Sequence, residues 1–302
     1  MSWLVFAFSG PVLWAISTHL DKYLVERYFK HGDVAVLLLF TAFLGVLALP
    51  FIALYEPTVA SPAAGSIALM VLSGILYLGA LLFYLRALQS EEASVVSPFF
   101  QSAPLFGYVL AYLVLGETLS LSQMAGGAMI IAGTLTVSVR FGGNARVLKL
   151  RLVLLMLTFG LVAALSGLIF KFFAIRLAFW TTTFWTLVGQ AIFGCALLTF
   201  ASYRRQLVAV LRQDCTAFLA VGGSNELINL GGVLGFRYAL LFAPLSIVQA
   251  IASTTTLFVF AFGVALSSLW PNLARETLSG RELAQKAIAA LFVALGVALA
   301  TH

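Results

Sequence analysis

The tetrapeptide Glu-Thr-Leu-Ser stands at 117–120 and again at 276–279, 159 positions later in a chain of 302 residues. Each copy follows a long apolar run and precedes another. A period of about half the chain length constrains the architecture more than any other feature, because both halves then form the same structural unit. The sequence therefore predicts two repeats, residues 1–140 and 152–302, joined by a basic loop at 141–151.

Other stretches of the two halves align in nearly the same register. Residues 78–88 match residues 230–240 at a spacing of 152. Two polar positions near the start of each half match at a spacing of 149: Ser17 with Ser166, and Lys22 with Lys171. These matches indicate that the two halves are repeats of one structural unit.

The composition requires a membrane. Hydrophobic residues make up 62% of the chain and charged residues 9%, with a mean hydropathy of +1.06. So little polar surface cannot cover a soluble globule, and the apolar runs approach the ~20 residues that a membrane-crossing helix needs. They lack the alternation of a membrane β-strand, so the predicted fold class is an all-α polytopic membrane protein. The ten predicted spans are Trp3–Leu20, Val34–Tyr55, Ile67–Leu88, Val95–Leu115, Met124–Val139, Leu152–Phe173, Trp180–Tyr203, Phe218–Leu240, Leu245–Leu269 and Ala284–Ala300.

The residues outside the spans exclude several classes of function. Too few remain to build a soluble catalytic domain or a nucleic-acid-binding domain. The net charge of +6 comes from short loops and is typical of anchoring at a membrane surface. The three histidines and two cysteines are scattered, so we expect no metal site, no disulfide framework and no cofactor. The expected partners are a lipid bilayer and a small-molecule substrate.

Each repeat contains five of the ten predicted spans. Because five is odd, the second repeat must enter the membrane upside down relative to the first. Inverted repeats are typical of secondary transporters, in which two opposed halves exchange inward-open and outward-open states. A channel or a membrane enzyme has no need of this symmetry.

The repeated segments also carry a family resemblance. The relevant residues are Ala-Ser-Val-Val-Ser-Pro at 93–98, Pro104-Leu105, Gly-Glu-Thr-Leu-Ser at 116–120, Gln123, Gly126 and Gly133, then Ala-Pro-Leu-Ser at 243–246, Glu-Thr-Leu-Ser at 276–279 and Gly296. Their order and duplication resemble the EamA-type repeat of the drug/metabolite transporter superfamily. The resemblance implies ten transmembrane helices, as two inverted five-helix repeats around a central cavity, and an exporter rather than an enzyme. It implies no particular substrate.

Two polar stripes mark one face of the fourth and ninth spans. Ser94, Ser97 and Gln101 fall within about 60° of one another on a helix that advances about 100° per residue. The ninth span repeats the pattern with Ser246, Gln249, Ser253 and Thr256. Because polar side chains avoid lipid, both stripes should face the interior, either lining a substrate cavity or joining helices by hydrogen bonds. For the two glutamines, which have four hydrogen-bonding positions each, cavity lining is favoured.

The eighth span contains Asn225, Glu226 and Asn229 within an arc of about 100°. The equivalent positions of the first repeat are Ser73, Gly74 and Tyr77. A carboxylate at membrane depth costs at least ~2.5 kcal/mol on insertion scales and therefore indicates a functional site. Three roles stay open for Glu226: proton coupling, binding of a substrate amine, and bracing of two helices.

Charged residues at helix ends are candidates for a gate. Lys22 and Lys171 end the first and sixth helices, so an inverted arrangement places them on opposite membrane faces, and Asp21 lies beside the first. Snorkelling of such side chains to the interface is the favoured interpretation for both lysines and for Arg237. Without a cationic side chain at membrane depth, phosphorylated substrates are disfavoured.

Two further groups complete the set of candidates. The candidates for an aromatic wall of the cavity are Trp14, Tyr77, Tyr84 and Trp185. Glu117 and Glu276 each precede an apolar run, and we interpret them as caps of the fifth and tenth helices.

The sequence therefore favours a secondary transporter of a small organic metabolite, such as an amino acid, in a bacterial inner membrane. The alternative within transport is a flippase for a lipid-linked substrate. From different classes, a channel and a polytopic membrane enzyme are the rivals, although one mid-span glutamate is few for an enzyme.

The loops predict an orientation as well. The odd-numbered gaps and the helix ends that adjoin them hold 14 Lys and Arg residues, and the even-numbered gaps with their adjoining helix ends hold 3. The positive-inside rule therefore places the odd gaps, including the loop at 141–151, in the cytoplasm and both termini outside. The family resemblance implies the reverse, with both termini cytoplasmic.

Overall fold

The computed structural model describes residues 2–29, 33–90, 96, 99–100, 102–138, 150–269 and 280–300. Within these ranges the chain forms eleven α-helices and two short 3₁₀ helices, Val34–Val36 and Pro57–Ala60, and no strand. The α-helices are α1 Ser2–Tyr28, α2 Leu38–Tyr55, α3 Ala64–Ser90, α4 Ser102–Leu115, α5 Leu121–Ser138, α6 Leu150–Ala174, α7 Phe179–Thr199, α8 Ala201–Ala239, α9 Leu245–Ala252, α10 Thr255–Leu269 and α11 Gly280–Ala300.

The helices have the length and surface of a membrane protein. Among the described residues, seven helical stretches are long and apolar enough to cross a membrane, and three shorter apolar helices are Ser102–Leu115, Leu121–Gly133 and Ile288–Ala300. Large apolar side chains lie on the outside of the bundle: Phe51, Leu54 and Leu121 are 73%, 81% and 83% exposed. Such a surface requires lipid as its solvent. The prediction of an all-helical, multi-pass membrane protein is confirmed, while the count of ten spans stays a prediction.

Helix α8 differs from the predicted eighth span because it begins before the apolar run. It contains a kink at Asp214, whose backbone dihedrals are φ −159° and ψ 69°. The part before the kink exposes Arg204, Arg205 and Arg212, in what the sequence predicts as a loop. A short helix with exposed arginines suits the lipid headgroup region, so the apolar part after Asp214 is the part long enough to cross the hydrocarbon.

The predicted ninth span is two helices rather than one. Helix α9 ends at Ala252 and α10 begins at Thr255. The hydroxyls of Ser253, Thr254 and Thr255 donate to the carbonyl oxygens three residues earlier, at 2.6, 2.7 and 2.6 Å. The hydroxyl side chains thereby supply hydrogen bonds to carbonyls at the point where the regular backbone pattern of the helix is interrupted.

Glycines allow the helices to cross closely. A Cβ atom on Gly74 of α3 would lie 1.9 Å from the carbonyl oxygen of Thr186, and one on Gly189 of α7 would lie 2.0 Å from that of Val71. Helices α5 and α11 approach in the same way through Gly126. Small residues at such crossings give the van der Waals contact that drives helix association in lipid.

Different polar contacts hold the two ends of the bundle. At one end, which we call the basic end, Arg27 near the end of α1 pairs with Asp214 of α8 at 3.1 Å. At the other end, which we call the clamp end, the end of α6 meets the segment that leads into α9 through Lys171 and Ala243. The part of α8 after the kink runs from the basic end to the clamp end, since Asp214 pairs with Arg27 and the helix finishes just before Ala243.

Candidate functional site

A cavity of about 190 Å³ lies between α1, α3, α6, α8 and the break between α9 and α10. This volume is enough for a small metabolite but not for a bulky one. Most of the wall is apolar or aromatic, with a few polar side chains. The lining residues are Trp14, Ser17, Thr18, Asp21, Tyr77, Leu81, Tyr84, Phe100, Ala103, Phe159, Asn229, Phe236, Gln249, Ala252, Ser253 and Thr255.

Helix α1 supplies the polar side of this wall. Ser17, Thr18 and Asp21 follow Trp14 at intervals of three, four and seven residues, which places them on one helix face. Helix α1 continues to Tyr28, beyond the apolar run that ends at Leu20, so Asp21 lies inside the bundle rather than at its mouth. The expectation that Asp21 is a mouth residue is therefore wrong in position.

Aromatic rings form the opposite side. Tyr84, Phe100 and Phe159 contact one another with centroid distances of 5.6, 6.2 and 5.4 Å. Trp14 packs against Phe236 at 5.5 Å. These rings make a wall that excludes water and can contact an apolar or aromatic part of a ligand.

The break between α9 and α10 brings polar atoms into the cavity. Gln249 and Ser253 line it, and both are buried. The Oε1 atom of Gln249 has no hydrogen-bond partner among the described residues. An unfilled buried acceptor of this kind is available to a ligand donor. Breaks of this type in membrane helices commonly form binding sites, since backbone and side-chain groups are freed there.

Two carboxylates lie beside the cavity. Asp21 accepts a hydrogen bond from Asn225 Nδ2 at 2.7 Å. Glu226 accepts from Thr41 Oγ1 at 2.8 Å and from Asn229 Nδ2 at 3.1 Å. Its side chain borders a pocket of about 10 Å³, roughly the room for one water.

All the donors to these two carboxylates are neutral. Neither Asp21 nor Glu226 forms an ion pair with a described lysine or arginine. Buried carboxylates without a counter-cation are costly when ionised. A proton or a ligand cation near them therefore relieves that cost. Two of the three roles left open for Glu226 are of this kind: proton coupling and binding of a substrate amine.

Lys171 is buried at the clamp end, with 5% of its surface exposed. Its Nζ donates to the carbonyl oxygen of Ala243 at 2.6 Å and forms an ion pair with Glu117. Glu117 Oε2 also accepts from the backbone N–H of Leu245 at 3.0 Å. The prediction that Lys171 snorkels is wrong, because a carboxylate and a carbonyl hold it inside the protein.

Glu117 accordingly caps α9 rather than the helix that follows it in the chain. The start of α5 is capped by Ser120 and Gln123: Ser120 Oγ accepts from Gln123 N at 3.2 Å, and Gln123 Oε1 accepts from Ser120 N at 3.1 Å. This reciprocal pair is a capping box, which frees Glu117 for the other half of the chain. Glu276 lies outside the described residues.

Lys22 behaves differently from Lys171, its counterpart in the repeat. It pairs with Glu26 one turn later at 3.2 Å, and 38% of its side chain is exposed. This agrees with snorkelling, and an exposed pair of this spacing contributes only a few tenths of a kcal/mol, about 0.3–0.5.

Arg237 is the second buried cation that sequence reasoning placed at the surface. Only 4% of its surface is exposed, and its Cζ lies 4.7 Å from the ring centroid of Phe170 and 5.5 Å from that of Tyr77. The argument against anionic substrates from a lack of cations at membrane depth therefore fails. A position near a helix end does not reveal whether the side chain turns towards headgroups or towards the bundle.

The remaining predicted site residues divide into three groups. Those that line the cavity are Trp14, Tyr77, Asp21, Asn229, Gln249 and Ser253, while Asn225 and Glu226 adjoin it. Ser246 is buried but does not line it, and Trp185 instead donates to the carbonyl oxygen of Val59 at 2.6 Å. Ser94, Ser97 and Gln101 lie outside the described residues.

Sequence reasoning missed two parts of the wall. The α1 face was hidden because Ser17 and Thr18 are ordinary helix-bundle residues; their spacing with Trp14 and Asp21 was the available signal. Phe100 and Phe159 carried no signal, since phenylalanine occurs 26 times in the chain.

Comparison with known proteins agrees with this architecture. A crystal structure described only as that of a protein superposes on the chain with a TM-score of 0.67 at 17% identity, covering 99% of this chain and 96% of the other. At this identity the likeness shows the fold alone. None of the curated proteins matches the chain.

Residues 1–139 match the EamA-like transporter family. The family belongs to the drug/metabolite transporter superfamily, so the resemblance inferred from the sequence is confirmed over those residues. With its apolar helices, the chain is a multi-pass membrane protein for which the EamA-like match indicates transport.

Proposed function

We propose that this protein is a secondary transporter that exports a small organic metabolite, such as an amino acid, by alternating access. The observation that carries the proposal is the cavity of about 190 Å³ bordered by a broken helix, the Asp21 carboxylate and an aromatic wall, with the buried Glu226 carboxylate beside it. A site for a metabolite needs few polar groups in an apolar pocket, and this cavity has that composition.

The proposed architecture is ten transmembrane helices in two inverted repeats, 1–140 and 152–302, with the basic loop 141–151 between them. Three facts support it: the sequence register of the halves, the three short apolar helices beside the seven long ones, and the fold likeness across 99% of the chain. A bacterial inner membrane is the proposed location.

The two carboxylates give the proposed binding chemistry. Asp21 and Glu226 receive hydrogen bonds only from neutral donors, which leaves them able to bind either a substrate ammonium group or a coupling proton. The one-water pocket beside Glu226 offers a route for a proton between that carboxylate and the cavity. Asn229 lines the pocket and the cavity and connects the two.

The clamp of Glu117, Lys171, Ala243 and Leu245 is the proposed gate at one end. It joins a loop of the first repeat to two elements of the second, so it must break if the repeats separate there. Separating the partners of a buried ion pair leaves a buried charge uncompensated and is strongly unfavourable. The pair therefore holds the two repeats together at this end. Lys22 is the proposed mouth residue at the basic end, where its exposed pair leaves that end easier to open.

The size of the cavity and the closed clamp favour a carrier over the rivals. A lipid-linked substrate needs a much larger, laterally open groove, and a channel needs a continuous path that the clamp interrupts. No group of three or more His, Cys, Asp or Glu residues able to hold a metal occurs in the described part of the chain.

A thermal-stability screen of the purified protein against a metabolite library is the first test, because a ligand at 100 times its dissociation constant stabilises by about 2.7 kcal/mol. Compounds that stabilise the protein are then assayed in proteoliposomes for counterflow, which a carrier supports and a channel does not. Flux that neither saturates nor responds to substrate on the opposite side would refute the carrier.

A further inference from the structure

We propose that Arg237 is an anion-binding residue at the clamp end of the cavity, and that the transported solute carries a carboxylate or a similar anionic group. The second half of this proposal rests on the function proposed above. The first half concerns Arg237 alone and stands or fails separately.

Arg237 is a buried cation with unused hydrogen-bond donors. Within the described part of the chain, its Nη1 and Nη2 atoms have no hydrogen-bond partner, and it forms no ion pair with an Asp or Glu. Lys171, the other buried cation, has a carboxylate and a carbonyl as partners. The two cations are therefore buried to the same degree but differ in whether the protein itself supplies an anion.

A guanidinium group cannot escape this situation by losing its proton, since arginine stays charged under all ordinary conditions. The rings of Phe170 and Tyr77 supply part of the compensation, because the π-face attracts a cation. They leave the in-plane N–H groups unfilled, and those N–H groups match the two oxygens of a carboxylate or phosphate. The group missing from this environment is an anion.

The position of Arg237 relates it to the cavity. Tyr77, whose ring faces the guanidinium, lines the cavity, and so does Phe236, the residue before Arg237. Side chains on a helix lean towards its N-terminus, so the guanidinium reaches back along α8 from the clamp end towards Tyr77. Arg237 itself does not line the cavity, and Tyr77 is a residue that both contacts the guanidinium and borders the cavity.

The charges along α8 also suit a solute that carries both an ammonium group and a carboxylate. Glu226 precedes Arg237 by 11 residues, about 16 Å along a helix at 1.5 Å per residue. Negative side chains therefore lie towards the basic end of the cavity and the positive one towards the clamp end. A zwitterion that moves through the cavity meets a partner for its ammonium group and a partner for its carboxylate, whereas a simple amine leaves Arg237 unfilled.

The first experiment uses no solute and compares the purified wild type with Arg237→Met. If the guanidinium is an unfilled binding group, its replacement removes an uncompensated buried charge, and the melting temperature of the ligand-free protein stays the same or rises. A marked fall in melting temperature would instead make Arg237 a structural brace and overturn the proposal.

The second experiment measures stabilisation by acetate and by its neutral isostere acetamide at equal concentration and ionic strength, in the wild type, Arg237→Lys and Arg237→Gln. We expect acetate to raise the melting temperature above acetamide in the wild type, less in Arg237→Lys, and not at all in Arg237→Gln. Equal responses in all three proteins would overturn the proposal even if a variant is less stable.

The third experiment links the residue to transport with L-leucine and isoamylamine, which differ only by the carboxylate. We expect the wild type to favour leucine about tenfold or more in competition, and Arg237→Gln to lose this preference. Leucine transport that is unchanged in Arg237→Gln refutes the proposal but leaves the carrier intact. Arg237-dependent stabilisation by acetate without any transport refutes the carrier and leaves the anion site intact.

Discussion

Two contacts between helices occupy corresponding places in the two repeats but differ in chemistry. The sequence register aligns Ser73 with Asn225 and Ser166 with Ser17. Between α3 and α6, Ser73 Oγ donates to Ser166 O at 3.0 Å and Ser166 Oγ donates to Ser73 O at 2.9 Å. Between α8 and α1, Asn225 donates to Asp21, and the cavity opens beside them. The first contact is a closed brace and the second is a polar surface that faces a cavity.

The neighbouring position shows the same division. Gly74 of α3 aligns with Glu226 of α8. The absence of a side chain at Gly74 lets α3 touch the backbone of α7 at Thr186, whereas Glu226 fills the equivalent place with a carboxylate bound by Thr41 and Asn229. The same repeat position therefore serves packing in one copy and chemistry in the other, which implies opposite responses to mutation.

The largest expected effect is the loss of stability on substitution of Gly74, the position that serves helix packing. Gly74→Ala would bring a methyl group to 1.9 Å from the Thr186 carbonyl oxygen, a backbone atom that cannot turn aside. We expect a loss of about 3 kcal/mol, at the upper end of the usual range for overpacking, measured as a fall in melting temperature and in monodisperse yield. Gly79→Ala is the matched control, since nothing lies within 4 Å of its added Cβ. Equal stability of the two variants would contradict this account of the α3–α7 crossing.

The next largest effect is on transport, through substitution of Glu226, and it leaves the fold intact. Glu226→Gln keeps the shape and one acceptor oxygen for Thr41, so we expect a folded protein whose transport falls at least about tenfold or loses its pH dependence. Thr41→Val tests the same carboxylate from its partner, with a smaller expected effect. Normal transport by Glu226→Gln at every pH would make this carboxylate a brace, equivalent in role to the serine pair.

A smaller effect is expected where the broken helix meets the cavity. A Cβ on Gly107 would lie 1.9 Å from Gln249 Oε1, the end of a side chain that can move. Gly107→Ala should therefore displace the amide at little cost in stability and weaken substrate binding several-fold, as should Gln249→Ala, by about 1 kcal/mol for one lost hydrogen bond. The sequence predicts the same of Gln101→Ala in the other repeat. Wild-type affinity in all three variants would leave the polar stripes as contacts between helices.

The fold was largely predictable because the bilayer permits few solutions. Apolar runs of sufficient length must become helices, and the residue period places Gln249 and Ser253 on one inward face. The break at Ser253 was less apparent, although four consecutive hydroxyl residues at 253–256 were a signal that hydrogen bonds could replace the backbone ladder there.

The contacts of the candidate site were not predictable to the same degree, because they join distant segments. Asp21 and Asn225 are 204 residues apart, and nothing in either local sequence specifies that α1 packs on α8. Lys171 and Arg237 were assigned to the membrane surface because sequence shows their place along a helix but not their direction around it. Direction depends on which helices pack nearby, and that is decided by long-range contacts.

The orientation of the protein in the membrane is the last question, and its expected effect is the smallest because orientation changes no contact within the protein. Arg27 of the first gap pairs with Asp214 of the seventh, so these two odd-numbered gaps lie at one end, as the charge count requires. The count of 14 against 3 predicts that this end, with the loop at 141–151, is cytoplasmic. The loop itself lies outside the described residues except for Leu150 and Arg151, so the test must be chemical.

In a background without Cys195 and Cys215, Asn144→Cys should resist a membrane-impermeant maleimide in intact cells and react after permeabilisation. Ser61→Cys, exposed in the second gap, should show the opposite pattern and serves as the matched control. The reversed result at both positions would mean that the termini are cytoplasmic, as the EamA-like resemblance implies, and that the charge asymmetry does not govern insertion. Either pattern assigns a membrane face to the clamp end, and hence to the anion-binding side of the cavity, because Lys171, Ala243 and Leu245 lie at the end opposite Arg27.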